Sequence, residues 1–148
     1  MRKLTVTRNA MGAYGELGTL SIYVEDRNAE NADIVIKGVP CRLLGQLQSG
    51  DTKEFEIDEQ EVKVFAFMGK TWRNYKYDYR IIEAGCEDVT LTGISIEDKM
   101  VGRIFNFDGE TPEEVRKDLG KMMLIRIAIV FGAVLIGGIA GALYARLK

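Results

Sequence analysis

The stretch KEFEIDEQEVKVFAF, residues 53–67, contains two runs of alternating apolar and polar side chains around a short polar link. Phe55 and Ile57 alternate with charged residues before the link, and Val62 and Val64 do so after it. A period of two places successive side chains on opposite faces of an extended chain, and the link is short enough for a tight connection. The stretch therefore predicts a β-hairpin with one buried face.

The same alternation recurs along most of residues 1–110. It is found at Leu4–Arg8, Leu20–Glu25, Asp33–Lys37, Cys41–Leu47, Tyr75–Ile82, Val89–Gly93 and Arg103–Phe107. Turn-forming clusters such as Gln48-Ser49-Gly50-Asp51 separate these runs. Short strands with short links are typical of packed antiparallel sheets. We therefore predict that residues 1–110 form an all-β domain, an antiparallel β-sandwich of about 8–9 strands.

A long uncharged segment lies near the end of the chain. Residues 127–145 have the sequence IAIVFGAVLIGGIAGALYA, which contains no charged side chain. A helix of this length spans roughly 28 Å, which matches the hydrocarbon core of a bilayer. The alternative is a helix buried in a soluble core, but such a helix has no need of apolar residues on every side. We therefore predict a single transmembrane helix at 127–145 and a short tail at 146–148.

The residues before this segment have the pattern of a helix start. Thr111 can act as the N-cap, Pro112 fits the first helical position, and Glu114 can close a capping box. This pattern predicts a juxtamembrane stalk at 111–126. Long basic side chains and tyrosine favour the membrane interface, so the predicted interface anchors are Lys121, Arg126, Tyr144 and Arg146.

Basic residues are more numerous before the apolar segment than after it. Arg116, Lys117, Lys121 and Arg126 precede it, whereas Arg146 and Lys148 follow it. No apolar region follows the basic N-terminal residues, so a signal peptide is not expected. The positive-inside rule then predicts a tail-anchored, single-pass protein with its N-terminal domain in the cytoplasm. The reversed orientation is the alternative.

Small residues recur every fourth position within the apolar segment. They are Ala133, Gly137, Gly141 and Ala145, and the central pair has the G-x-x-x-G spacing. This spacing places them close to one stripe of a helix, where they allow two backbones to approach. We expect a homo-oligomer through this stripe, although small residues are also common in membrane helices without any such role.

Residues 45–57 and 62–66 carry a motif. Their sequences are GQLQSGDTKEFEI and VKVFA, and they resemble the G-x-L-x-x-G-[DEN]-x-x-x-F-x-[ILV] … V-x-V core of PEGA-type and carboxypeptidase-regulatory-like β-sandwiches. The Pro-Gly usual in that family before the closing strand is replaced by Asp58-Glu59-Gln60-Glu61. The resemblance covers about a third of the chain. It implies a non-catalytic surface or interaction domain and transfers no functional residue.

Aromatic and basic residues alternate near position 75. Tyr75, Tyr77 and Tyr79 share one face of the predicted strand, and Trp72 comes just before it. Such a strand is usually half-buried packing; it can also be a protein-binding face, or a stacking platform for single-stranded nucleic acid. The candidate protein contacts are therefore Trp72, Tyr75, Tyr77 and Tyr79, with Trp72 as the anchor.

Composition argues against several kinds of chemistry. The chain has no histidine, the commonest general base and metal ligand. Residues 1–110 contain 14 basic and 19 acidic side chains, a net charge of −5 that repels nucleic acid. Cys41 and Cys86 have no ligand spacing, which leaves reduced thiols, favoured in the cytoplasm, or one long-range disulfide. We predict no enzyme, no metal, no cofactor and no nucleic-acid partner.

Two functions are compatible with these features. The leading hypothesis is a membrane-anchored, non-enzymatic binding or scaffold protein that presents its β-sandwich to the cytosol and recruits a protein partner. The alternative is a small homo-oligomeric membrane assembly, a pore or signalling component, built on the Gly-rich helix with the β domain as sensor. An enzyme that uses Asp, Tyr or Cys alone is a third hypothesis, which the missing base disfavours.

Overall fold

The computed structural model describes residues 1–9, 18–70, 75–98, 102–108 and 113–146. The described strands are β1 (Arg2–Asn9), β2 (Leu20–Glu25), β3 (Ile34–Ile36), β4 (Val39–Leu47), β5 (Thr52–Ile57), β6 (Val62–Lys70), β7 (Tyr75–Ile82), β8 (Val89–Asp98) and β9 (Gly102–Phe107). One helix, α1, is described at Glu113–Arg146. Each run of alternating residues in the sequence overlaps one of these strands.

The described strands form two sheets. The front sheet has the order β5-β1-β8-β9, and the back sheet has the order β3-β4-β2-β6-β7. Strands β1 and β8 are parallel, with Leu4 opposite Val89, whereas the other described pairings are antiparallel. The wholly antiparallel arrangement predicted from the sequence is therefore wrong at this pairing. Alternation of apolar and polar residues identifies a strand, but it does not identify the strand with which it pairs or the direction of that pairing.

The main core lies between the sheets. The front sheet contributes Leu4, Val6, Ile57, Leu91, Phe105 and Phe107, and the back sheet contributes Leu20, Ile22, Val24, Leu47, Val62, Val64, Ala66 and Ile82. Within each strand these residues are two positions apart, as one buried face requires.

A buried arginine connects the two sheets at one end of this core. Arg8 follows Leu4 and Val6 on the inner face of β1 and is 0% exposed. Its guanidinium donates to the carbonyl oxygens of Gly18 at 2.7 Å and Leu47 at 3.0 Å, and to Ser95 Oγ at 3.2 Å. These bonds offset the cost of removing the charge from water.

The predicted transmembrane anchor is wrong. Among the described residues, no helix is both long enough and apolar enough to cross a membrane. The stretch of α1 whose side chains are described without a gap, 123–138, has 16 residues. It spans about 24 Å, short of the roughly 30 Å hydrocarbon core.

Several predictions depended on that anchor. The fold class, which ended in a transmembrane helix at 127–145, is wrong in that element. The tail-anchored arrangement and the single-pass localisation with a cytoplasmic N-terminal domain have lost their support for the same reason. The division at residue 110 and the roles given to 111–126 and 146–148 are not tested and stay predictions.

Candidate binding surface

The outer face of the back sheet carries aromatic rings on three adjacent strands. Tyr23 of β2 pairs with Phe65 of β6, which pairs in turn with Tyr79 of β7. Phe67 and Tyr77 form another cross-strand pair on β6 and β7. Because paired residues point to the same side of a sheet, these five rings form one layer.

The rings contact one another at favourable distances. The centroid distance is 5.7 Å for Phe65 and Tyr79 and 5.9 Å for Phe65 and Tyr77. Tyr23 and Phe67 meet edge to face at 5.9 Å, with an interplanar angle of 89°. All three separations lie in the range that stabilises aromatic pairs, so the layer is packed rather than loosely exposed.

The aromatic side chains of this layer differ in solvent exposure: the most buried ones are called its floor, and the part-exposed ones are called its rim. Phe65 and Tyr77 are only 3% and 2% exposed, whereas Tyr23, Phe67 and Tyr79 are part-buried. Two aliphatic side chains extend the rim: Leu43, paired with Tyr23, is 36% exposed, and Ile81, two residues after Tyr79, is 52% exposed. These seven residues are called the aromatic face below.

The β3–β4 hairpin supports one side of the aromatic face. Its turn residues Lys37 and Gly38 both have positive φ, 51° and 83°, as a tight hairpin turn requires. The hairpin contributes Ile36 and Cys41, each 0% exposed, to the same apolar cluster as Phe65. The outer side of the back sheet therefore has a second small core of its own.

Asp33 fixes the polar edge of this hairpin. Its Oδ2 accepts a hydrogen bond from the Leu43 amide at 2.7 Å, and its own amide donates to the Cys41 carbonyl at 2.9 Å. Burial, followed by the negative charge of Asp33, raises the pKa of Tyr23. The Tyr23 hydroxyl therefore stays protonated at neutral pH and is able to donate a hydrogen bond to a ligand.

The cysteines offer no reactive thiolate on the aromatic face. Both Cys41 and Cys86 are free thiols. Burial raises the pKa of Cys41 to about 11, and its thiol donates to the Val39 carbonyl oxygen at 3.2 Å. A protonated, buried thiol is a packing group rather than a nucleophile.

A buried ion pair lies beneath the aromatic face. Asp78 is 0% exposed; its Oδ2 accepts the Phe107 amide of β9 at 2.7 Å and its Oδ1 accepts the Tyr79 amide at 2.9 Å. Arg80 lies 3.5 Å from both carboxylate oxygens and donates to the Phe107 carbonyl at 2.5 Å. The two side chains thus bind both backbone groups of Phe107 and connect β7 to the edge of the front sheet.

The environment of Asp78 changes its proton affinity. Burial raises the pKa of its carboxyl from 3.8 to about 6, although the hydrogen bond from Phe107 and the charge of Arg80 act in the opposite direction. Asp108 adds a smaller repulsion that also raises the pKa. This pair connects the two sheets; Asp78 is fully buried, whereas the Arg80 side chain is 22% exposed.

Two clefts open elsewhere among the described residues. One, of about 730 Å³, is lined by residues that include Glu25, Asp26, Arg42 and Asp58. In the described part of the chain, no three His, Cys, Asp or Glu side chains are placed to hold a metal ion. The acidic residues of this cleft therefore form no metal site by this criterion.

The second cleft, of about 570 Å³, brings Arg2 near Cys86. The Arg2 guanidinium donates to the carbonyl oxygens of Asp58, Gln60 and Glu83, so its hydrogen-bonding groups are engaged by backbone. Cys86 is an exposed free thiol in this cleft, and Glu83, Glu87 and Asp88 also line it. We assign no chemistry to this cleft.

The predicted protein contacts have different positions in the structure. Tyr77 belongs to the buried floor, and Tyr79 belongs to the part-exposed rim. Tyr75 begins β7, but its side chain lies outside what the structure describes, as does all of Trp72. The structure therefore brings two of the four together, and the anchor role of Trp72 stays a prediction.

The predicted helix residues all lie within α1. Ala133 and Gly137 are exposed, as are Lys121, Arg126 and Tyr144. Gly141, Ala145 and Arg146 are helical, but their side chains lie outside the described part of the chain. The interface roles of Lys121, Arg126, Tyr144 and Arg146 are not tested and stay predictions.

Sequence reasoning missed Arg8 and Asp78 as buried charges and missed Arg80 as the partner of Asp78. The alternation of β1 does indicate that Arg8 is buried, because Arg8 lies on the same face of the strand as the buried Leu4 and Val6. Charged residues are almost never fully buried unless they are paired. The hydrogen-bond partners of Arg8 and Asp78 on other strands are far away in sequence, so the sequence alone does not indicate them.

Comparison of the chain with protein-family models, with curated proteins and with solved structures finds no match. The resemblance of residues 45–57 and 62–66 to PEGA-type modules is not tested by these comparisons and stays a prediction.

Proposed function

We propose that the chain is a non-enzymatic binding module that captures a protein segment on its aromatic face. The observation that carries this proposal is the gradient of exposure on the outer side of the back sheet, from the buried floor of Phe65 and Tyr77 to the exposed rim of Leu43 and Ile81. Aromatic and aliphatic side chains that are part-exposed over a rigid floor are typical of binding hot spots.

The chemistry of the aromatic face favours an apolar peptide segment as the ligand. Its rim offers ring edges and methyl groups, and the protonated Tyr23 hydroxyl adds a polar group at its side. The net charge of −5 on residues 1–110 opposes nucleic acid, which would otherwise compete for stacked rings. The PEGA-type resemblance, which implies an interaction domain, supports the same proposal.

Selection from a library of displayed random peptides on the full-length protein tests this proposal. Ile81→Asp places a carboxylate on the aromatic face, and the matched control Thr90→Asp places one at an exposed position of the front sheet. We expect the selected peptides to bind Ile81→Asp at least tenfold more weakly, a loss of about 1.4 kcal/mol, and to bind Thr90→Asp normally.

Amide chemical-shift mapping with the best peptide gives a second readout. The largest shifts should fall on Tyr23, Leu43 and Ile81. Circular dichroism of both variants checks that the fold is intact. Failure to enrich any peptide, or equal binding to wild type and Ile81→Asp, would contradict the proposal.

A further inference from the structure

Strand β5 is an outer strand of the front sheet, where it pairs with β1 alone. The Arg8 amide donates to the Asp51 carbonyl oxygen at 2.9 Å, and the Gly50 amide donates to the Arg8 carbonyl oxygen at 2.9 Å. The backbone groups of Arg8 therefore point towards β5. The Lys3 amide points the other way and donates to Asp88 Oδ1 at 2.9 Å, on the side of β8. The direction thus alternates along β1, as it does in any strand.

This alternation identifies the backbone groups of β5 that face away from the sheet. The residues two, four and six positions before Arg8 also face β5, and their partners in the register are Lys53, Phe55 and Ile57. The residues that alternate with these partners direct their N–H and C=O groups outwards; they are Thr52, Glu54 and Glu56. Within the described part of the chain, no hydrogen bond engages these outward groups. They are called the β5 edge below.

Side chains cap the edges of two other strands. On β7, the Tyr79 amide donates to Asp78 Oδ1 at 2.9 Å, and Arg80 donates to the Tyr79 carbonyl oxygen at 2.9 Å. The same two side chains bind both backbone groups of Phe107 on β9. The seam between β7 and β9 is therefore closed to an added strand, whereas the β5 edge has no such cap among the described residues.

The side chains of β5 favour a basic strand beside it. Glu54 and Glu56 are exposed on the outer face, and Phe55 lies between them on the inner face, part-buried against the main core. Cross-strand neighbours of opposite charge stabilise a sheet, and like charges directly opposite destabilise it. A second copy of β5 would bring glutamate beside glutamate. A strand in which basic residues flank an apolar one instead matches both glutamates and Phe55.

Lysine on an edge strand commonly prevents pairing with another chain. Lys53 has a different position, because its Nζ donates to the Gln46 carbonyl oxygen of β4 at 2.6 Å and its charge is thereby directed towards the back sheet. We infer that the β5 edge binds, as an added strand, an extended segment of another protein in which basic and apolar residues alternate. The net charge of −5 on residues 1–110 favours the encounter with such a segment. This site is separate from the aromatic face, which belongs to the other sheet.

Fluorescence anisotropy of a labelled peptide with the full-length protein tests the inference. The probe is acetylated Lys-Val-Lys-Val-Lys amide, and its control is Lys-Lys-Lys-Val-Val, which has the same charge and composition without the alternation. The control peptide should bind about tenfold more weakly or worse, because it cannot place its lysines on one face of a strand.

Two charge reversals locate the binding of the probe. Glu56→Lys should weaken it by about tenfold or more, because it places a like charge beside the added strand. Glu30→Lys is the matched control, since it makes the same change of net charge at an exposed residue between β2 and β3. It should weaken binding by no more than about threefold, through the long-range field alone.

The backbone of the β5 edge has its own test. Thr52→Pro removes an outward N–H group at the first residue of the edge strand, where proline is tolerated, and should weaken binding about fivefold relative to Thr52→Ala. In the wild-type protein, the probe should slow hydrogen exchange of the Glu54 and Glu56 amides. Circular dichroism checks that the variants are folded. Equal binding of the two peptides, equal losses for Glu30→Lys and Glu56→Lys, or unchanged exchange at Glu54 and Glu56 would each overturn the inference.

Discussion

The two outer faces of the sandwich differ in chemistry although each belongs to a twisted β-sheet. The front sheet presents hydroxyl and charged side chains, with Thr5 and Thr7 of β1 beside Thr90 and Thr92 of β8. The back sheet presents the aromatic face. A sheet with one polar face has only its apolar face to bury against another layer. A sheet with two apolar faces needs another layer or a ligand against each of them.

The sequence of β6 shows the difference most clearly. Val64 and Ala66 point into the main core, and Phe65 and Phe67 between them point to the outer side. A strand with apolar residues on both faces is typical of a buried, central strand. The back sheet therefore behaves as a middle layer, and the aromatic face is its second, partly covered surface.

Removing the floor of the aromatic face should have the largest effect on stability. Phe65→Ala deletes a ring that is 3% exposed and contacts Tyr77 and Tyr79. We expect it to lower the free energy of unfolding by about 3–5 kcal/mol, because a cavity adds to the lost transfer energy. Urea unfolding of the full chain measures the change.

The control for this change lies on the front sheet. Thr90→Ala removes an exposed side chain and should change the free energy of unfolding by no more than about 0.5 kcal/mol. If both substitutions cost the same, the outer side of the back sheet is an ordinary solvent face and the comparison fails.

The buried ion pair between the sheets predicts an unusual pH dependence. The pKa of Asp78 is about 6 in the folded protein, against 3.8 as its ordinary value, so the folded state binds this proton more tightly than the unfolded state. Asp78 therefore makes the protein more stable as the pH falls from about 7 to about 4, by up to about 3 kcal/mol.

Asp78→Asn isolates this contribution from the other carboxyl groups. The unfolding free energy of wild type minus that of Asp78→Asn should rise as the pH is lowered through 6 and should level off below about 4. Arg80 and Asp108, the charged groups that affect the Asp78 pKa, are present in both proteins. A difference that falls with decreasing pH would contradict the predicted sign.

Local patterns predicted the strands but not their long-range partners. The alternation at Leu20–Glu25 and Tyr75–Ile82 coincides with β2 and β7, because a period of two is a local property. The contact between Asp78 and Phe107 spans 29 positions, and nothing local indicates it. For the candidate site, sequence placed the tyrosines of β7 on one face but gave no hint that Tyr23 and Phe65 complete it.

Two glycines test how closely each sheet is packed. A Cβ atom at Gly93, in the front sheet, would overlap the Phe105 ring and would lie 2.7 Å from the Asn106 carbonyl oxygen. A Cβ at Gly45, in the back sheet, would lie 2.7 Å from the edge of the Phe55 ring, a part-buried side chain packed against the main core.

Gly93→Ala should therefore lower the free energy of unfolding by about 1–3 kcal/mol, because backbone cannot move aside as a ring can. Gly45→Ala should cost less, about 1 kcal/mol. Thermal unfolding of the two variants side by side measures the order. A larger loss at Gly45 would show that the ring is held as rigidly as backbone.

The smallest effect is expected for a hydroxyl pair on the front sheet. Thr7 and Thr52 are directly opposite each other on β1 and β5, and their Oγ1 atoms are 3.0 Å apart at an exposed position. Water can replace either partner, so Thr7→Ala and Thr52→Ala should each cost about 0.5 kcal/mol or less. The double-mutant cycle should give a coupling free energy of about 0.2–0.5 kcal/mol. A coupling above about 1 kcal/mol would mean that this pair is shielded from solvent, and that the front sheet also has a covered outer face.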